Sequence, residues 1–401
     1  MNKKREIAAI TLVFLVFIAG FTITYIYVNT RLTENSVRIV RAQGSVLSHE
    51  IASLPQGIRL ITQEEFMEAM EEEARELTDE AFRLAIERDF NPDSTAPEFV
   101  VNDAVIHDAL DEMLEFGDDD AIYEREGSSD RIYNVLFLGD DARIHQNRGR
   151  SDTIILISCN LDTRIISLTS FMRDILVPAS LSGTNWNRIN SMHAMGGPGR
   201  TINLLNDLFS LDIQRYAVVR FSGVFTLVDA LDGLELYLTA DEAAVINRIF
   251  PDFESVSAGN NLLNGRQVLA YSRMRVIDND RARTQRQRNV LRSILTKIMD
   301  TRNLGDIFTI ATFALEHVET NVPLGEIITI CFEMLTSNIP VIEELRIPVD
   351  GSFNHAQYNG AYILTIDFNE NTKALHEFIY DSAIGVEAPN LTLPGMDQPE
   401  I

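Results

Sequence analysis

The sequence predicts an α/β fold: a central mixed β-sheet flanked by helices on both faces, preceded by one transmembrane helix and an acidic helical segment. Three observations carry this. β-Branched apolar runs and helical apolar periodicities interleave from residue 131 almost to the end of the 401-residue chain, the pattern of a sheet covered by helices. Two of those runs, 153–159 and 165–169, are joined by Asn160-Leu161-Asp162-Thr163-Arg164, which reads as a hairpin turn. The stretch 131–401 is also long enough to bury one large core.

Residues 1–30 read as a cytoplasmic tip and a membrane anchor. Lys3, Lys4 and Arg5 precede an uncharged run over 7–28. At about 1.5 Å rise per residue that run spans a hydrocarbon core of about 30 Å. The basic residues before it place the N-terminus in the cytoplasm. The exit carries Tyr25 and Tyr27 and no small-residue cleavage pattern, so the run reads as an uncleaved single-pass anchor. The rest of the chain then lies outside the cytoplasm. With only Cys159 and Cys331, disulfides are not the framework of this fold, and Cys159 reads as a small core residue.

Residues 31–130 read as an acidic helical spacer or insertion. Positions 34–130 hold 26 Asp or Glu against 7 Arg, a surplus of 19 negative charges (26 − 7) that keeps most of this surface solvated. Phe66, Met70, Leu77, Phe82 and Leu84 fall near helical spacing among the carboxylates. Asn91, Pro92 and Pro97 then break the pattern, and a second helical stretch follows with His107, read as a surface residue. Two readings stand: a stalk that holds a domain off the membrane, or helices packed on that domain.

The main domain is read over 131–384, with a loose tail over 385–401. Residues 134–138 form a short strand ending in Gly139-Asp140-Asp141, and the hairpin follows. Gly196-Gly197-Pro198-Gly199 opens a helix through about Phe209, either as a plain helix start or as an anion cradle. A strand at 213–221, a helix at 222–231, a strand at 235–239 and helices at 264–272 and 281–299 follow.

The chain carries a formal charge of −25, which excludes a nonspecific nucleic-acid binder. Against that background Arg273, Arg275, Arg281, Arg283, Arg286 and Arg288 fall within one short segment. Such guanidinium forks suit a multiply charged anion like a diphosphate; a solvated helix face is the plainer reading. Polar residues also gather at strand ends: Asp140 and Asp141, then Arg150, Ser151 and Asp152, then Arg173 and Asp174. Singly these are turn or cap residues. Together, two carboxylates holding Mg2+ beside arginines make a diphosphate site. No Walker loop, zinc spacing, CxxC or GxSxG signature is present.

The ordered series Leu138-Gly139-x-Asp141, Arg150-Ser151-Asp152-Thr153, Arg173-Asp174, Ile189-Asn190, Gly196-Gly197-Pro198, Leu263-Asn264-Gly265, Arg273-Met274-Arg275 and Asp280-x-x-Arg283-x-x-Arg286-Gln287 resembles the LytR-CpsA-Psr family. The resemblance covers about 131–300. It implies transfer of a glycopolymer (teichoic acid, capsule or another wall polysaccharide) from a polyprenyl diphosphate carrier to peptidoglycan. It implies Mg2+, or Mn2+ in its place, held by Asp141 and Asp152, with Asp140 as the alternative to Asp141. It implies diphosphate contacts from Arg150, Arg173, Arg273, Arg275 and Gln287. Arg283 and Arg286 complete the motif, and Arg188 stands where a Lys is common. Asp280, Arg173 and Arg275 are the residues implied for catalysis, with Asp280 activating the acceptor hydroxyl. Arg288, one step beyond the motif, is expected to tolerate Lys. Phe209, Phe221, Val224, Phe225 and Leu227 are candidates for an apolar lipid groove, or plain core. A hydrolase acting on the carrier diphosphate and a noncatalytic lipid-binding regulator are the alternatives.

Overall fold

The computed structural model describes residues 39–41, 58–76, 82–83, 86, 122–124, 131–142, 148–178, 187–274, 277, 280–301, 317–335 and 340–380. The anchor run over 7–28, the residues around His107, Arg275 and the tail lie outside them. Among the described residues no helix is long and apolar enough to cross a membrane.

Short strands β1 (Ile39–Arg41), β2 (Arg59–Leu60) and β3 (Ile122–Glu124) and helix α1 (Gln63–Glu76) precede the central sheet. The sheet is built from β4 (Ile132–Asp140), β5 (Ser151–Asn160) and β6 (Ile165–Phe171) with three later strands. β4, β5 and β6 run antiparallel in turn, Val135 opposite Ile157 and Ile157 opposite Leu168. The expected hairpin is present. Asn160 Oδ1 accepts from the Asp162 and Thr163 amides, and Arg164 takes φ +60°, so four loop residues turn the chain.

The chain then forms β7 (Leu176–Val177), β8 (Asn187–Arg188), α2 (Ser191–Phe209), β9 (Arg215–Arg220), α3 (Phe221–Ala230), β10 (Leu234–Leu238), α4 (Ala240–Ile249), β11 (Gly259–Leu263), α5 (Gly265–Arg273) and α6 (Asp280–Thr301). β12 (Val318–Thr320), α7 (Leu324–Leu335), β13 (Val341–Ile347), β14 (Phe353–Tyr358), β15 (Ala361–Ile366) and α8 (Phe368–Tyr380) complete it. The central order is β12-β9-β4-β5-β6-β13. β9 runs parallel to β4, and β13 parallel to β6, so the sheet is mixed.

Strand periodicity sends alternate side chains to opposite faces. Leu136, Leu138, Ile154 and Leu156 pack with Leu205, Leu208 and Phe209 of α2 and Phe368 and Leu375 of α8. Ile155, Leu168, Phe137 and Ile157 pack on the other face with Leu291 and Met299 of α6 and Met334 of α7. Helices therefore cover both faces. Phe209 sits against Phe171 and Phe368, which makes it core rather than groove lining. Cys159 faces the α6–α7 side, where burial pushes its thiol up to about 12, as a core thiol behaves.

A second core joins the antiparallel β10–β11 pair to α3, α4 and α5 and also buries Phe82 and Ile86. Phe66 of α1 stacks on His355, centroids 4.0 Å apart, and β2 pairs with β14. The described parts of the acidic segment are thus built onto the domain, as in the second of the two readings above. The Gly-Gly-Pro-Gly helix differs from expectation: α2 starts earlier, at Ser191, and kinks at Gly196 and Gly197. Pro198, which lacks an N–H and suits a first helical turn, restarts it. Gly197 takes φ +68°, and a Cβ there would lie 2.8 Å from the Arg148 guanidinium carbon. Of the two readings of this segment, the backbone shows a helix restart, with the Arg148 guanidinium packed against Gly197.

Candidate functional site

The strand ends at the head of β4 and β5 supply the first carboxylates. The β4–β5 register shifts between Gly139 and Asp140, a bulge that re-aims the chain. Gly139 is required there, since a Cβ would lie 2.8 Å from that of Thr153. The two acids that follow have different fates. Asp140 is buried, and its Oδ1 accepts from the Ala142 and Gly149 amides, both at 2.8 Å. Its Oδ2 lies 3.6 Å from Arg220 Nε and 3.9 Å from His193 Nε2. Burial works against its ionised form, yet the His193 contact and the two amides hold its carboxyl below the usual range. Asp140 therefore braces the loop between β4 and β5. Asp141 is pushed up to about 7, first by burial and then by the negative charge of Asp152, with the Arg150 amide and charge opposing.

Asp152 stands inside a lattice of guanidinium groups. Arg173 Nη1 donates to its Oδ1 at 3.0 Å, and Arg283 Nη1 lies 3.5 Å from its Oδ2. Arg173 Nε lies 3.4 Å from Asp280 Oδ1, and Arg283 Nη2 is 2.5 Å from the same oxygen. Asp174 adds a further acid, 3.6 Å from Arg173 Nε, and accepts from Arg188 Nη1 at 3.0 Å. The fold brings these parts together through backbone stitching: the Ser151 amide donates to Asn190 O, and the Asn190 amide to Arg173 O. The Ile189-Asn190 pair thus ties the ends of β5, β6 and β8 to one another.

The structure joins Asp141, Arg150, Asp152, Arg173, Arg188, Asp280 and Arg283 into one neighbourhood. Asp174 completes it; its signal was its place directly after Arg173. Arg273 is half-buried at the end of α5, and Gln287 is half-buried on α6 outside the lattice. Arg286 turns elsewhere. Its Nε donates to Glu242 at 2.7 Å, its Nη1 to the Met274 carbonyl at 2.8 Å, and it lies over the Tyr271 ring. It holds the exit of α5 rather than facing Asp152. Glu242 was not singled out by sequence, although Thr239-x-x-Glu242 is a capping box that both side chains complete. The Leu263-Asn264-Gly265 motif is explained likewise. Asn264 caps α5, and Gly265 passes so close to the Phe225 carbonyl that a Cβ would meet it at 2.3 Å. Arg288 corrects an expectation: it is buried, donating from Nε to Glu344 at 3.2 Å and from Nη2 to Gln285.

The donor set fits a divalent cation. Asp141 and Asp152 offer hard oxygens, and their mutual repulsion in a buried place is what a cation between them would offset. No group of three or more His, Cys, Asp or Glu suited to a metal occurs among the described residues. Two carboxylates suit Mg2+, which keeps several waters and takes further oxygens from a substrate phosphate.

A sequence model of the LytR_cpsA_psr family matches residues 105–377. The chain belongs to the LytR-CpsA-Psr family. It is similar to Biofilm regulatory protein A of Streptococcus mutans, 32% identical over 181 residues, 43% of this chain and 45% of that protein. It is similar to Regulatory protein MsrR of Staphylococcus aureus, 27% identical over 216 residues, 53% of this chain and 64% of that one. It is also 27% identical over 182 residues, 43% of this chain and 45% of the other, to the polyisoprenyl-teichoic acid–peptidoglycan teichoic acid transferase TagV of Bacillus subtilis. The matches span 45% to 64% of those relatives' lengths. Among solved structures, TagT bound to LI-WTA superposes with a TM-score of 0.53 at 22% identity, over 64% of this chain and 94% of that one. TagT with bound octaprenyl pyrophosphate lipid gives 0.50 at 20% identity, over 64% and 94%. These likenesses share the LytR-CpsA-Psr fold.

Proposed function

We propose that this LytR-CpsA-Psr protein transfers a glycopolymer from a polyprenyl diphosphate carrier to peptidoglycan. The observation that carries this reading is the lattice in which Arg173 and Arg283 are shared by Asp152 and Asp280 beside Asp141. Carboxylates that pin guanidinium forks in one place pre-organise them for a diphosphate, and phosphoryl transfer depends mainly on such positioning and charge neutralisation. The names of TagV and of the lipid-bound TagT structure support the substrate class.

In this reading Arg150, Arg173, Arg188, Arg273, Arg275 and Arg283 bind and orient the diphosphate, with Gln287 at the edge. Asp141 and Asp152 would hold Mg2+, which supplies charge neutralisation on the phosphate oxygens when bound. Asp280, at the first turn of α6, takes the proton from an acceptor hydroxyl on a peptidoglycan sugar. That oxygen forms a bond to the phosphorus nearer the glycopolymer, the bridging P–O bond breaks, and polyprenyl monophosphate leaves. Arg286 supports the site from behind, by holding Met274 next to Arg275. Residues 1–30 anchor the chain in the cell membrane with the domain outside the cytoplasm. The test is incubation of the full chain in detergent with Mg2+, lipid-linked polymer and peptidoglycan oligomers, followed by mass analysis. A joined product is the expected result. Free polymer without joined product would replace this reading with hydrolysis, and binding without turnover would leave a lipid-binding regulator.

A further inference from the structure

On the other side of α6 lies a cleft of about 560 Å3 between that helix and the edge strand β13. Arg281 and Arg288 reach it from α6 and Arg346 from β13. Arg292, one turn further along α6, points to the same carboxylate as Arg288. Among the described residues two acids answer these four arginines. Glu344 is taken up by Arg288 at 3.2 Å, Arg292 at 2.7 Å and Gln285 at 2.7 Å. Asp350 is shared by Arg281 at 3.0 Å and Arg346 at 2.5 Å. Among these described residues four positive charges against two negative leave a surplus of two.

The surplus is felt at the floor of the cleft. Burial lowers the Arg288 guanidinium from its ordinary value against the opposing pull of Glu344, and the positive charges of Arg292 and Arg281 add to the lowering. Burial and then Arg281 do the same to Arg346. The Arg288 side chain is only 6% exposed, and its Nη1 has no hydrogen-bond partner among the described residues. A buried guanidinium with a vacant donor, in a cleft with excess positive charge, is made for an anion.

We propose that this cleft is a second anion site that takes a phosphodiester group of the glycopolymer chain. The inference rests on the function proposed above and deepens it: the polymer would be one that carries phosphate in its repeating unit. The placement supports this. Arg281 follows Asp280 in the chain, and Arg346 Nη1 lies 3.4 Å from the sulfur of Met172, the neighbour of Arg173. The cleft and the Asp152 lattice are thus linked through neighbouring residues of α6 and of the end of β6, and an extended polyanion with its diphosphate end at Arg173 would follow that link to Arg346 and Arg288. A phosphate oxygen pair matches a guanidinium fork, whereas a neutral polysaccharide would leave the vacant donor unmet.

The test is calorimetric binding to the full chain in detergent. Three probes are compared: a glycerol phosphate oligomer, inorganic phosphate alone and a neutral dextran of similar length. The oligomer is expected to bind, more weakly as salt rises, with phosphate alone far weaker and dextran not at all. Arg288→Gln carries a risk of misfolding because the side chain it replaces is buried and ion-paired to Glu344. Arg281→Glu, at a side chain 59% exposed, keeps the fold and is expected to weaken the oligomer about tenfold or more. Arg173→Lys is expected to leave oligomer binding in place while abolishing transfer. Equal binding of oligomer and dextran, or an Arg281→Glu variant that binds the oligomer as the parent does, would overturn the site. Arg281-dependent binding in a protein that transfers nothing would keep the cleft and discard the transfer reading. Transfer with no Arg281-dependent binding would do the reverse.

Discussion

Arg283 and Arg286 lie one turn apart on α6, are equally buried, and stand in the same motif, yet they serve different parts of the molecule. Arg283 reaches Asp152 and Asp280, where its charge is available to a ligand. Arg286 reaches Glu242 and the Met274 carbonyl, where it is sealed inside the second core. The same division separates Asp141, left facing another carboxylate, from Asp140, saturated by two amides. A motif of this kind mixes residues that act with residues that hold, and only the partners tell them apart.

The sharpest way to break this comparison is at Asp152. Asp152→Asn removes the charge shared by Arg173 and Arg283 and half of the donor pair proposed for a cation. Transfer is expected to fall by about a hundredfold or more, the scale on which pre-organised charge acts in active sites. The melting temperature is expected to move by only a few degrees. Parent-like turnover in a normally folded Asp152→Asn protein would remove it from the site.

Arg286→Ala is expected to do the opposite. It leaves the Glu242 charge with only its cap contact to the Thr239 amide, and breaking a buried pair typically costs about 3–5 kcal/mol. Urea unfolding should show a loss of about that size, and activity per folded molecule should fall less than at Asp152. A stable Arg286→Ala protein without activity would place Arg286 with Arg283 instead.

The smallest effects separate the adjacent acids. Asp140→Ala leaves the Ala142 and Gly149 amides without their acceptor and is expected to cost about 1–3 kcal/mol. Asp141→Asn removes a buried charge that faces Asp152, so without added metal it is expected to raise the melting temperature slightly while losing Mg2+-dependent transfer. Thermal scans of both proteins in chelator read the sign directly. The same sign for both would mean that Asp141 too is a brace.

Much of the fold was legible because it is local. The β5–β6 hairpin and the β9–α3–β10 run follow from side-chain period and turn chemistry within a few residues of each other. β11 was not, because Gly259–Leu263 reads GNNLL and becomes a strand only by pairing with β10. The docking of α1 was left open for a like reason: Phe66 finds its partner His355 far along the chain. In the site, strand-end acids were visible as adjacent letters. The fates of Arg286 and Arg288 were not, since Glu242 and Glu344 lie 44 and 56 residues away and on different sides of α6. The kink in α2 was hidden because Gly197 answers to Arg148, a contact across the fold.

The most direct test of the central claim is the fate of the two phosphorus atoms of the carrier. Phosphoryl transfer predicts that polyprenyl monophosphate leaves and that the joined glycan–peptidoglycan product retains one phosphate at the junction. Mass and phosphorus NMR analysis of both products of the full chain would read this in a single incubation. Release of polyprenyl diphosphate with a phosphate-free junction would mean attack at sugar carbon and would contradict the account.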